Sequence, residues 1–253
     1  MIYDTQKASM IKRIPAWMLD AILAIVVTAG VMAGLSFVLN TEEHSKNLDG
    51  IYQAYEEKYG IVFTVTQEEL AAMDEEQLAA YQAAAEALSK DMNAKKAYEQ
   101  VLGDTLLTVS LSLFASILLL EFLVPMWIGN GQTVGKKIFG VGVMRVDGIK
   151  VNRMILFVRA ILGKYTLETM IPVLLAIMLI FGMLGMVGLA VLALALLLVM
   201  FMPLVTRNRS AVHDLMACTV AVDLNSQLIF NTPQEREEYI KQVESENATE
   251  DQQ

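Results

Sequence analysis

Four long runs of apolar residues, Ile14–Leu39, Thr105–Ile128, Leu167–Leu184 and Gly185–Val205, constrain this chain more than anything else in it. Each run is about 18 to 26 residues long, and roughly 20 residues of helix cross the hydrocarbon core of a bilayer. Apolar residues make up 55% of the chain and charged residues 19%, which excludes an ordinary soluble domain. The expected fold is an all-α polytopic membrane protein with about four transmembrane helices. The first run follows Lys12 and Arg13, as in a signal peptide, but it is too long for a signal core, carries Asp20, and precedes no small-x-small cleavage site. It is read as a retained span.

Basic residues set the expected orientation. Lys136, Lys137, Arg145, Lys150, Arg153, Arg159 and Lys164 follow the second span against one acid, Asp147. Lys7, Lys12 and Arg13 precede the first span, and Arg207 and Arg209 follow the last. Such residues are retained on the cytoplasmic side, so a multi-pass protein of the cell membrane with both termini cytoplasmic is expected. The connection 41–104 has fourteen acidic against five basic residues and falls outside. The net charge of −9 averages these opposed regions and does not itself indicate a partner. Four regions follow: an arm and first span (1–40), an acidic extracytoplasmic helical insert (41–104), a membrane core (105–225) and an acidic cytoplasmic tail (226–253), disordered beyond one weak helix. Cys218 is the single cysteine, which leaves no disulfide within the chain.

Within the insert, helical pattern runs to Tyr59 and breaks at Gly60, and Ile61, Phe63 and Val65 alternate like a short strand. Thr66 and Glu69 make a capping box that opens a helix. One helical face through Leu70, Leu78, Tyr81, Leu88 and Tyr98 predicts a cap of one or two helices. Near the other end of the core, "MILFVRAILGKYTLETM" is apolar but interrupted by Arg159, Lys164 and Glu168, which suits a helix lying at the inner interface. "FGMLGMVG" predicts a tight hairpin between the last two spans.

The stretch "GNGQTVGKKIFGVGVMRVDGIKVN" resembles a phosphate-binding loop at first sight. A G-x-x-x-x-G-K-[ST] loop, however, needs glycine where Asn130 stands and a hydroxyl where Lys137 stands. The dinucleotide pattern fails at Val134 or at Arg145. No nucleotide or other cofactor is expected. Asp147-Gly148 between alternating runs predicts a β-hairpin, with Val141, Val143 and Val151 on one face and Thr219–Val222 as a third strand. The lysines place this stretch at anionic headgroups.

"KRIPAWMLDAIL", "GQTVGKKIFGVGVMRVDG", "VRAIL" and "SAVHDLMACTVAV" resemble, in order, segments of the RDD family of small bacterial and archaeal membrane proteins. The arginine and two aspartates that give the family its name fall on Arg13, Asp20 and Asp214. Its glycine block falls on Gly131, Thr133, Gly135 and Lys136. The resemblance implies a membrane domain suspected of transport, some members being cation/proton antiporters.

Ionisable residues inside a span are costly and are by default paired or functional. Asp20 lies about 9 Å into its span, counted from Ile14 at 1.5 Å per residue. It is expected either to bind a proton or cation, or to lock helices together as a partner of Arg159 or Arg207. Glu121 is a second acid in a span, and two carboxylates at one depth would suit a cation site. Asp214 is expected to cap a helix end or pair with Lys136, Lys137 or Arg209. No catalytic site, metal site or nucleic-acid partner is expected; His44 and His213 are placed on opposite sides of the membrane. Two functions remain open. One is transport of a small ligand, or exchange of a monovalent cation for protons, through Asp20 and Glu121 in a homo-oligomer or with a membrane partner. The other is a non-transporting scaffold or accessory subunit whose insert binds an envelope partner.

Overall fold

The computed structural model describes residues 5–206 and 210–250. Among the described residues, four helices are long and apolar enough to cross a membrane: α1 (Met10–Val38), α5 (Met92–Ile128), α7 (Arg153–Ile180) and α8 (Met186–Val205). Their outer faces are apolar; Ile22, Ile25 and Val26 of α1 and Leu194, Leu197, Leu198 and Phe201 of α8 are exposed. Faces of this size are costly in water and natural in lipid. The chain divides into two compact units, residues 32–111 and the remainder, 1–31 with 112–253.

In the larger unit, α1 buries only Ala16 and Asp20. It meets α5 where Ser112 and Ser116 are buried, and Ser116 Oγ donates to the Ala24 carbonyl at 3.2 Å. Small residues let apolar helices approach closely, and the hydroxyl adds a bond that lipid cannot supply. α7 ends at Phe181, where Gly182 takes φ +65° and Met183 N–H returns to the Met178 carbonyl at 2.8 Å. This is the expected hairpin into α8.

The segment carrying Arg159, Lys164 and Glu168 is not a separate helix leading into the third span. It is continuous with that span in α7, and Val158–Met170 within it is π-helical. Leu118–Leu123 of α5 is π-helical as well. Wider i→i+5 turns tend to mark functional sites or strained sequence.

After α5 comes the one-turn helix α6 (Val134–Ile138), then strand β1 (Val141–Arg145). The short helix α9 (Val212–Met216) leads into β2 (Thr219–Asp223). β1 and β2 pair antiparallel, with Val143 opposite Ala221. The Asp147-Gly148 turn forms, with Gly148 at φ +82° and Arg145 N–H bonded to the Ile149 carbonyl at 2.8 Å. The hairpin does not continue as predicted: its return limb meets β1 at one bridge, Met144 to Lys150, and meets Phe230 at another through Ile149. The chain turns away because Asn152 caps α7, its side chain accepting from Ile155 N–H at 2.8 Å. The main partner of β1 is therefore β2, and the N-terminal arm adds to the sheet through Ala8 N–H to the Ala221 carbonyl, 3.2 Å. Val143 packs with Val151, Leu156 and Phe122, which seats the sheet on α5 and α7. The tail forms a helix, α10 (Pro233–Glu250), with Tyr239 against Phe230.

The smaller unit contains α2 (Thr41–Tyr59), α3 (Gln67–Ala72) and α4 (Glu75–Lys90), with the start of α5. The single helical face expected from Gln67 onward is broken twice. Asp74 opens a new capping box with Gln77, and Asp91 accepts from Asn93 N–H and Tyr55 Oη at 2.7 and 3.0 Å. Thr66 and Glu69 form the expected box. Ile61–Val65 is not a strand; among the described residues no strand pairs with it, and Phe63 instead packs edge-on against Tyr52 and Tyr81. His44 Nδ1 bonds Asp104 at 2.6 Å, and Gln100 meets the other ring nitrogen at 2.9 Å.

Candidate functional site

The candidate site is built from ionisable groups that the apolar helices bury at the end of the larger unit where the sheet lies. It has two stations joined by Lys136.

The first station explains the glycine stretch. Thr133 caps α6, and its hydroxyl donates to Asp20 Oδ2 at 2.5 Å while Gly135 N–H donates to Asp20 Oδ1 at 2.8 Å. Both carboxylate oxygens are thus engaged by one turn of backbone, and bonds to an ionised acceptor are the strong ones. A Cβ at Gly135 would stand 2.2 Å from the Ala16 carbonyl oxygen, so only glycine lets α6 press onto α1. Gly131 is buried at φ +61°, a left-handed conformation suited to glycine, with the side chains of Val143 and Val151 close above it. The G-x-T-x-G-K block is therefore a socket for the Asp20 carboxylate. Arg159 is not the partner of Asp20, and Arg207 lies outside the described residues. Arg13 is half-buried two turns earlier on α1, and Lys137 is exposed.

The second station gathers on the two π-helical segments. Arg159 is 2% exposed, donates from Nε to Asp214 Oδ1 at 2.9 Å and from Nη2 to His213 Nε2 at 2.9 Å. A guanidinium only donates, so His213 Nε2 is the acceptor and the ring proton sits on Nδ1. That nitrogen faces Glu168 at 2.8 Å, and His213 N–H also donates to Glu168 at 2.9 Å. Thr219 Oγ1 adds a bond to Asp214 at 3.0 Å. Burial pushes the Asp214 carboxyl up, but the Arg159 guanidinium, His213 and Lys136 together outweigh it and hold the carboxyl well below the usual range. The partners expected for Asp214 were Lys136, Lys137 or Arg209; its charge partner is Arg159, and Arg209 lies outside the described residues.

The π-helix makes this convergence possible. Residues nine apart, such as Arg159 and Glu168, stand on about opposite faces of an α-helix at 3.6 residues per turn. The wider turn brings both to the side on which α9 lies. Gly163 lies between them, and a Cβ there would meet His213 Cα at 2.5 Å, so glycine admits α9 to this face.

Glu121 is 5% exposed on the π-helical turn of α5. Lys164 bonds its Oε1, while Lys136 Nζ and Arg159 Nη1 each stand 3.9 Å from Oε2. Lys136 Nζ also reaches Thr133 Oγ1 at 3.4 Å, so this lysine connects the stations. Burial lowers the Lys136 ammonium to about 8, with Arg159 and Lys164 acting in the same direction and Glu121 and Asp20 against it. Asp20 and Glu121 do not share a site: one is held by the α6 turn, the other by lysine. The bonds of His213 to Arg159 and Glu168, and of Lys164 to Glu121, were not foreseen from sequence. The only signal for them was the interruption of an apolar run by charges five and four residues apart.

Four apolar helices, closed at one end by a two-stranded sheet and a buried charge cluster, define a polytopic α-helical membrane protein. The chain belongs to the RDD family, whose model matches residues 7–218. No curated protein and no solved structure matches it.

Proposed function

We propose that this RDD-family protein is a non-transporting membrane scaffold or accessory subunit, whose acidic insert binds a basic partner in the cell envelope. One observation carries the reading: the intramembrane acids are engaged by protein donors that tie separate elements together. Asp20 joins α1 to α6, Glu121 joins α5 to α7, and Glu168 and Asp214 join α7 to α9. Carboxylates used this way hold the bundle and sheet in one arrangement. The insert supports the same reading. Its surface carries the acidic excess of the chain, and its aromatic contacts and the Tyr55–Asp91 and His44–Asp104 bonds brace it as a platform. The sheet end is the cytoplasmic face in this account, with exposed Lys137, Lys150 and Arg153 meeting anionic headgroups.

Photo-crosslinkers placed at exposed Glu57 and Glu76 in cells test the proposal. The expected result is one defined adduct with a basic envelope protein, lost when the insert acids are changed to glutamine. Absence of any protein adduct contradicts it.

A second reading rests on Glu121 Oε2, which is buried with no hydrogen-bond partner. It makes the protein a monovalent cation/proton exchanger, as a homo-oligomer or with a membrane partner, and predicts cation-dependent proton flux that Glu121→Gln abolishes.

A further inference from the structure

We propose that Glu121, Lys136 and Arg159 enclose a single-water proton-binding site, in which Lys136 is the group that takes up and releases the proton. The inference goes beyond the scaffold reading and does not depend on it.

Geometry carries it. Glu121 Oε2 is a buried acceptor with no hydrogen-bond partner, although two cations face it. At 3.9 Å, Lys136 Nζ and Arg159 Nη1 are too far for direct bonds. A polar contact beyond about 3.5 Å is one that a water can bridge, here accepting from both cations and donating to Oε2. Three polar partners are what a buried water typically has.

The choice among the three cations follows from their contacts. Arg159 is bonded to Asp214 and His213 and, as a guanidinium, does not release its proton. Lys164 is bonded directly to Glu121. Lys136 has three N–H donors, one long bond of 3.4 Å to the Thr133 hydroxyl, and that hydroxyl already donates to Asp20. It is therefore the least compensated charge of the cluster. The groups facing it are Glu121 from α5, Arg159 and Lys164 from α7, Asp20 from α1 and Asp214 from α9. On release, one Nζ–H bond breaks and the proton passes to solvent at the partly exposed edge of the side chain. The bridging water then donates to the amine lone pair, and the charge of the cluster falls by one. Arg159 and Lys164 still hold Glu121. The lowered affinity of the buried ammonium for its proton agrees with this assignment.

The test is carbon-13 NMR of Cε-labelled lysines in the full-length protein in lipid nanodiscs, with Lys136→Arg assigning the resonance. The expected result is one lysine titrating near pH 8, absent from Lys136→Arg, against about 10.4 for ordinary lysines. Glu121→Gln should lower that midpoint and Lys164→Gln should raise it, each by about one pH unit, the size of effect a nearby charge produces. If every lysine titrates above pH 10, or if the low midpoint survives Lys136→Arg, the proposal is overturned. The wild-type and Lys136→Arg spectra decide this even where another variant does not fold.

Discussion

Gly135 donates its amide hydrogen to Asp20 at 2.8 Å, from a position where any side chain would collide with the carbonyl of Ala16. One contact therefore requires the glycine and the aspartate together. Gly135→Ala should destabilise the protein by about 1–3 kcal/mol or more, the range for overpacking a tight site. Gly30→Ala is the control, since nothing lies within 4 Å of its Cβ position. Thermal unfolding in nanodiscs should separate the two; equal effects would mean that α6 does not press on α1.

Asp20→Asn should cost about 1–3 kcal/mol, because the bond from Gly135 N–H loses its charged acceptor and the Thr133 hydroxyl must turn from donor to acceptor. Thr133→Val should cost less in the Asp20→Asn background than in wild type, as the two residues share one bond. Strict additivity of the two unfolding free energies would contradict the socket.

Arg159→Met leaves Asp214 buried beside Thr219 without its counter-charge. Removing one partner of a buried pair costs about 3–5 kcal/mol. The double change Arg159→Met with Asp214→Leu should be less damaging than Arg159→Met alone, because no orphaned carboxylate remains. A double variant no better than the single would show that Arg159 stabilises through something other than its charge partners.

Two groups make stability rise with pH, in separate windows. The folded Asp214 carboxyl lies below its usual range, so its stabilisation is complete above the unfolded value of about 3.9 and is lost as pH falls through lower values. The folded Lys136 ammonium lies near 8, below the unfolded value of about 10.4. Between those values the unfolded chain holds more of this proton, so the Lys136 contribution to stability rises with pH there. Wild-type protein should gain stability relative to Lys136→Met from pH 8 to 10. A flat difference would contradict the burial of Lys136.

Much of the fold was legible because bilayers impose a coarse rule. Apolar runs of span length, the Gly182 hairpin and the Thr66 capping box depend on local composition alone. Asp20, Asp214 and the G-x-T-x-G-K residues also stood out, since charges and glycines are conspicuous beside apolar helices. Their pairings did not. Asp20 meets Thr133 and Gly135 across more than a hundred residues, and no periodicity encodes that closure. Arg159 and Glu168 belong to opposite faces on an α-helical count, so the π-helical turn hid their convergence on His213. The return limb of the hairpin stays short for a local reason: Asn152 starts α7 before it can lengthen.

The most direct test of the claim that the buried acids form a lock is proton flux in proteoliposomes, driven by sodium or potassium gradients. Wild type, Asp20→Asn and Glu121→Gln would be measured beside their melting temperatures. The account predicts no cation-dependent flux from wild type, with both variants melting at lower temperature. Wild-type flux that Glu121→Gln abolishes, at an unchanged melting temperature, would contradict it.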